Sequence, residues 1–270
     1  MPAPAVISLE GVGATLGGRR VLGSISLSVA AGEFLAVVGP SGAGKTTVLR
    51  LINRLAEASQ GVVRVEGEDV RAVDPIGLRR RIGYVFQNIG LFPHLTVAEN
   101  IAITPRLLGW DAAQRAARVD ELIDLVRLDR AKHRDRLPHE LSGGERQRVG
   151  VARALAARPR IVLMDEPFGA LDPLTRDALG RDVRALHDAL ALTTVMITHD
   201  ALEAVLLATR IVVIRDGAVI ADATPHALMN ETGDAYVREL MQTPRRQAER
   251  LHALMTGPDA GGPGETGPGT

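Results

Sequence analysis

The sequence predicts an α/β fold: a P-loop core of parallel strands, with an antiparallel β subdomain and an inserted helical subdomain. Three observations carry this. The runs Phe34–Val38, Ile161–Met164 and Thr194–Thr198 are short and mostly apolar, as strands buried on both sheet faces are. The first of them leads into Gly39-Pro-Ser-Gly-Ala-Gly-Lys-Thr46 and then a helical pattern, the strand–loop–helix order of a phosphate-binding loop. Between the core strands, residues 88–140 change to helix-start boxes and helical apolar spacing.

Taken in order, Val6–Glu10, Ser24–Val29 and Val62–Glu66 carry β-branched residues with partial alternation and read as strands of a half-exposed sheet. A helix is expected over Thr47–Leu55 and a strand over Ile82–Phe86. Thr96-Val-Ala-Glu99 and Asp111-Ala-Ala-Gln114 have capping-box form. Val119, Leu122, Ile123 and Val126 then recur on one helix face. A further helix is expected over Arg146–Ala157. Ile211–Ile214 and Ala218–Ala221 flank Arg215-Asp-Gly217, a hairpin signal. Arg245–Met255 is expected to form one or two turns of amphipathic helix. Thr256–Thr270 holds six glycines and three prolines without a triplet period, so a disordered tail is expected there. The expected units are 5–240 as one catalytic domain, 241–255 as a short extension, and 256–270 as the tail.

Composition excludes several classes. With 270 residues and 46% hydrophobic content the chain can bury a full core. It has no cysteine, which removes disulfide scaffolds, thiolate metal sites and thiol catalysis. The formal charge is zero, so no basic excess favours bulk nucleic-acid binding. No uncharged stretch is long enough to span a membrane, and Met1–Glu10 lacks the pattern of a secretory signal. Only Lys45 and Lys132 are lysines among the 32 basic residues, which makes Lys45 conspicuous.

Gly39, Pro40, Ser41, Gly42, Ala43, Gly44, Lys45, Thr46 and Thr47 form the first candidate site. Its glycines let backbone N–H groups turn towards phosphate oxygens, and the following helix start adds its dipole. Lys45 suits the β- and γ-phosphates, and the Thr46 hydroxyl suits Mg²⁺. The second site is Ile161-Val-Leu-Met-Asp-Glu166, a buried strand that delivers two carboxylates at its carboxyl end, where open α/β sheets bind ligands. Asp165 suits Mg²⁺ through water, and Glu166 suits the orientation or deprotonation of an attacking water. The third is Leu141-Ser-Gly-Gly-Glu145, at once a capping box and a helix start able to hold an anion. Two such starts in one chain fit a triphosphate gripped from both sides.

Over about residues 5–240 the chain resembles ATP-binding subunits of ABC transporters. Gly39–Thr46 matches Walker A, Gln87 the Q-loop, Leu141–Glu145 the signature, Leu163–Glu166 the end of Walker B, Ala170-Leu-Asp172 the D-loop and His199 the switch histidine. Gln87-Asn-Ile-Gly-Leu-Phe-Pro-His94, Glu99-Asn-Ile-Ala102 and Leu107-Leu-Gly-Trp110 resemble the quaternary-amine (glycine betaine, choline, carnitine) osmoprotectant importer branch.

The resemblance implies the ABC ATPase fold and an ATPase that powers solute import. Gln87 then touches Mg²⁺ and the attacking water, and His199 contacts the γ-phosphate. Asp172 lies at the interface of a homodimer in which ATP sits between Gly39–Thr47 of one copy and Ser142, Gly143, Gly144 and Glu145 of the other. The implied cofactors are ATP and Mg²⁺. The implied partners are a second copy, membrane permease subunits docking near Leu91, Phe92 and Pro93, and indirectly an extracytoplasmic substrate-binding protein, with no nucleic acid. The chain is then peripheral, on the cytoplasmic face of the cell membrane. Other solutes, such as amino acids or sulfonates, stay open as cargo, and so does a non-transport ATPase acting on nucleic acid or ribosomes.

Two positions depart from the family pattern. Leu16 stands where an aromatic residue usually stacks on adenine, which predicts weak base selectivity. Glu145 stands where glutamine is commoner, and is expected to bond back towards Ser142. Thirty residues follow Leu240, too few for a tandem sensor domain, so osmotic gating through this chain is not expected.

Overall fold

The computed structural model describes residues 5–230 and 233–255. A long hairpin comes first, β1 (Ala5–Leu16) and β2 (Arg19–Ala30). Its turn is Gly17-Gly18, with φ of 55° and 76°, the left-handed pair a two-residue hairpin turn requires. That turn carries both strands beyond the expected Val6–Glu10 and Ser24–Val29. Next come β3 (Phe34–Val38), α1 (Lys45–Ile52), β4 (Gln60–Val65), β5 (Glu68–Asp69), α2 (Pro75–Arg81) and β6 (Ile82–Val85). The helical insertion holds α3 (Val97–Leu107), α4 (Ala112–Leu125), α5 (Arg130–His133) and a 3₁₀ turn at Pro138–Glu140. The core resumes with α6 (Gly143–Leu155), β7 (Ile161–Asp165), α7 (Pro173–Ala189), β8 (Thr193–Ile197) and α8 (Ala201–Leu207). Last are β9 (Arg210–Arg215), β10 (Ala218–Ala223), α9 (Pro225–Asn230) and α10 (Ala235–Met255).

The strands form two sheets. One is antiparallel, in the order β2-β1-β4-β5. The other has the order β10-β9-β3-β8-β7-β6 and is parallel except for the β9–β10 hairpin. In its register Ile197 faces both Val37 and Asp165, so β3, β7 and β8 end level with one another. The phosphate loop, the two carboxylates and His199 all leave the sheet at that edge.

Period-2 alternation inside the continuous apolar runs divides the core. Phe34, Ala36, Val38, Val162, Met164 and Met196 join one buried cluster, with Ile101, Leu122, Ile123 and Val149 from the helices. Leu35, Val37, Leu163, Val195 and Ile197 join the other, with Ile7, Leu9 and Leu27 of the antiparallel sheet and Leu49 and Ile52 of α1. A helical layer thus covers one face of the parallel sheet, and α1 with the second sheet covers the other. Each fully buried Leu, Ile or Val contributes roughly 1.5–3 kcal/mol of transfer free energy.

Three expected helices change their bounds. The one expected over Arg146–Ala157 is α6, which starts at Gly143 because Ser142 caps it and ends at Leu155. The helix after the phosphate loop starts at Lys45 and ends at Ile52 instead of running over Thr47–Leu55. Gly44 caps its start, and Arg54 turns left-handed with φ 48°, while the Leu55 and Ala56 N–H groups fold back on the Arg50 carbonyl. At the other end, one or two turns over Arg245–Met255 are replaced by the single helix α10. Val237 and Met241 bury one face of it, and Asp234 accepts the Val237 N–H at 3.0 Å. Burial on the N-terminal side of Arg245 nucleates what the local pattern leaves weak. The expected disordered tail, Thr256–Thr270, lies outside the described residues. Among the described residues no helix is long and apolar enough to cross a membrane.

Candidate active site

The loop after β3 is shaped by two glycines that no other residue could replace. A Cβ on Gly39 would lie 1.9 Å from the Ile214 carbonyl oxygen. Gly44 has φ 99°, and a Cβ there would meet Leu22 Cδ2 at 2.5 Å. The loop is therefore wedged between β9 and β2. Ser41, Gly42, Gly44, Lys45, Thr46 and Thr47 line a cleft of about 450 Å³, together with Val21, Gln87, Glu166 and His199. Pro40 and Ala43 shape the loop instead, with the Ala43 N–H donating to the Pro40 carbonyl at 3.2 Å. The first turn of α1 carries no acidic residue of its own, so its positive end is not offset from within the helix.

Lys45 is buried, and its ammonium donates to the Gly39 and Pro40 carbonyls at 2.8 and 3.0 Å. Burial lowers its pKa, opposed by the nearby Glu166 and Asp165 carboxylates. Asp165 ends β7 and accepts from the Thr46 hydroxyl at 3.1 Å. Burial pushes its carboxyl up, the Thr46 bond pulls it down, and the Glu166 charge adds to the rise. Glu166 follows with φ 45°, a strained left-handed backbone for a non-glycine residue. Its N–H donates to the Ile197 carbonyl at 2.9 Å, which fastens it to the end of β8. Gln87 Nε2 donates to Glu166 Oε2 at 2.9 Å, and His199 Nδ1 lies 3.4 Å from the same oxygen. Two distant segments, at Gln87 and His199, thus converge on one carboxylate in the cleft that the loop lines.

Ser142, Gly143, Gly144, Glu145, Asp172 and Leu16 are not among the residues that line this cleft. Ser142 caps α6, and its hydroxyl accepts the Glu145 N–H at 3.2 Å. Glu145 Oε2 accepts the Ser142 N–H at 2.8 Å, the return bond expected from the sequence. Those bonds and the His133 ring hold the Glu145 carboxyl down at about 2. Asp172 caps α7 by accepting the Thr175 N–H at 3.0 Å, and hydrogen bonds from Thr175 lower its pKa. Leu16 ends β1 at the hairpin tip and is 40% exposed. One chain therefore presents two separate surfaces: the phosphate-loop cleft and the paired starts of α6 and α7.

Val21 and His133 were not singled out in the sequence. Val21 reaches the cleft only because the Gly17-Gly18 hairpin folds β2 over the loop. A second cleft, of about 440 Å³, lies beside the segment after Gln87 and includes Leu55, Phe86, Phe92 and Ile103 in its lining. Arg153 of α6 donates to the Ile89 carbonyl at 2.7 Å and also to that of Gly90.

The family described as "ABC transporter" matches residues 22–169. The chain is 46% identical over 257 residues to the choline transport ATP-binding protein OpuBA of Bacillus subtilis, covering 93% of this chain and 67% of that protein. It is 48% identical over 245 residues to the glycine betaine/carnitine/choline transport ATP-binding protein OpuCA of the same organism, covering 88% and 64%. The chain thus spans about two thirds of the length of these relatives. Among solved structures, the dimeric post-hydrolysis state of the ATP-binding cassette MJ0796 bound to ADP and Pi superposes with a TM-score of 0.72 at 32% identity, covering 81% of this chain and 98% of that one.

Proposed function

The chain belongs to the ABC transporter family, and on that premise we propose that it is the ATP-hydrolysing subunit of a membrane importer for quaternary-amine osmoprotectants. The observation that carries the hydrolytic part is the convergence of Gln87 and His199 on Glu166 beside the phosphate loop. The cargo rests on the relatives, whose names give choline, glycine betaine and carnitine as what they transport.

Two copies associate head to tail. Backbone N–H groups of Gly39–Thr47, Pro40 excepted, and the Lys45 ammonium hold the triphosphate on one copy, and Ser142–Glu145 of the second copy closes over it. The separation of these surfaces within one chain supports this arrangement. A γ-phosphate bonded from both sides favours the closed dimer, and hydrolysis removes that bridge. The reaction converts ATP and water to ADP and phosphate. Glu166 aligns the water and draws on its proton, while Gln87 and His199 hold the Glu166 carboxylate and read the γ-phosphate. Asp172 passes the state of one site to the other across the interface.

The donors fit Mg²⁺. A hydroxyl and a carboxylate, Thr46 and Asp165, meet within one hydrogen bond, and so few hard oxygen ligands suit an ion that keeps waters and takes phosphate oxygens. Thr46 and Asp165 would hold it, with Gln87 beside them, and when bound it neutralises charge on the transferring phosphoryl group. Permease subunits dock in the cleft beside Leu91, Phe92 and Pro93, on the cytoplasmic face of the membrane, and an extracytoplasmic binding protein delivers the solute.

The test is Glu166→Gln. It retains Mg-ATP binding, forms an ATP-dependent dimer on size-exclusion, and hydrolyses at least about a hundredfold more slowly. Wild-type turnover in this variant, or a monomer at saturating ATP, overturns the scheme. Uptake by the reconstituted complex, with choline-type solutes as competitors, tests the cargo.

A further inference from the structure

His133 closes α5 and is buried, yet the hydrolytic scheme leaves it without a part. Its ring has a polar partner at each nitrogen. Nδ1 lies 2.9 Å from the Asp129 carbonyl oxygen, and Nε2 lies 2.8 Å from Glu145 Oε1. A carbonyl oxygen only accepts, so Nδ1 carries the proton of that bond. The Glu145 carboxyl is ionised at neutral pH, and a carboxylate also only accepts. Nε2 bonds that oxygen only as a donor, and when both nitrogens carry protons the ring sets a cation against an anion.

We propose that His133 is a positioning residue for the nucleotide: it cancels the Glu145 charge and keeps that carboxylate turned away from the helix start facing the triphosphate of the second copy. The inference rests on the two-copy reading above. Both Glu145 oxygens are taken by internal donors, Oε1 by the His133 ring and Oε2 by the Ser142 N–H. Without the ring cation, an uncompensated carboxylate would stand in the first turn of α6, among the N–H groups that attract an anion, and would repel phosphate. The pair also fastens α5 of the helical insertion to α6. His133 does this through Glu145 and need not touch the nucleotide.

The test follows ATP-driven dimerisation of the Glu166→Gln protein by light scattering against Mg-ATP concentration. His133→Gln is introduced with Glu145 intact and in the Glu145→Gln background. With Glu145 intact, His133→Gln raises the half-dimerising ATP concentration about tenfold, the scale of one uncompensated charge near a protein surface. In the Glu145→Gln background the same substitution moves it less than about twofold, because no carboxylate remains to compensate. An equal shift in both backgrounds marks a packing role and overturns the inference, as does no shift in either. If His133→Gln fails to fold, His133→Lys decides: recovery of the original midpoint supports the inference, and a tenfold loss despite the restored cation overturns it. A Glu166→Gln protein that stays monomeric at every ATP concentration overturns the two-copy reading and this inference with it. A dimer whose midpoint ignores His133 overturns this inference alone.

Discussion

Arg153 donates through Nη2 to the Ile89 carbonyl at 2.7 Å, so the segment after Gln87 is tied to the helix that Ser142 caps. Gln87 in turn donates to Glu166. A chain of bonds therefore links the proposed hydrolytic carboxylate, the proposed permease cleft and α6, whose start faces the second copy in the proposed dimer.

Removing that link should separate hydrolysis from transport. Arg153→Ala leaves two backbone carbonyls without their donor, at about 1–3 kcal/mol of local cost. Solute uptake by the reconstituted complex should fall about tenfold or more, the scale of a lost coupling of 1–3 kcal/mol, with basal ATPase within about twofold. Parallel loss of both activities would reject a coupling role.

Phe92 is 44% exposed beside the second cleft. An exposed aromatic ring in an apolar cleft is an anchor for a partner helix. Phe92→Asp should abolish uptake and co-purification with permease subunits while leaving ATPase activity and melting temperature near wild type. Retained co-purification would place the dock elsewhere.

At the base-stacking position proposed for it, Leu16 would offer apolar contact without a ring quadrupole. Wild-type protein should use GTP and ATP comparably. Leu16→Tyr should lower the KM for ATP about fivefold, consistent with the 0.5–1.5 kcal/mol of an aromatic pair. Strict adenine selectivity in the wild type, measured by steady-state kinetics with both nucleotides, would contradict this.

The Glu145 carboxyl is held at about 2, against an ordinary 4.5. Its folded pKa is depressed, so its contribution to stability is fully present above pH 4.5 and is lost as pH falls through about 2. The carboxyl is partly exposed, so about 1 kcal/mol is expected after solvent screening. The gap between melting curves of wild type and Glu145→Gln should narrow as pH is lowered from 5 and close only as it passes about 2. A gap that does not change with pH would refute the assignment.

Much of this molecule is legible in its sequence. The buried runs announced parallel strands because a strand covered on both faces has no polar side to show. Gly39–Thr46 announced its loop because the backbone approach to β9 tolerates no Cβ. Ser142-x-x-Glu145 and Thr96-x-x-Glu99 announced helix starts because capping is local chemistry within four residues. The long α10 was not legible, since Val237 and Met241 are held by the core and not by their neighbours in sequence.

The sequence by itself determined the strand, loop and cap chemistry, and with it the choice of Lys45, Thr46, Asp165 and Glu166 as the groups proposed to meet a triphosphate. Only the tertiary structure decided that Gln87 and His199 meet on one oxygen of Glu166, and that His133 pairs with Glu145. Local motifs depend on backbone geometry over a few residues, which sequence spacing records. Contacts between segments twelve to seventy-nine residues apart depend on how the sheet and helices pack, which no spacing encodes.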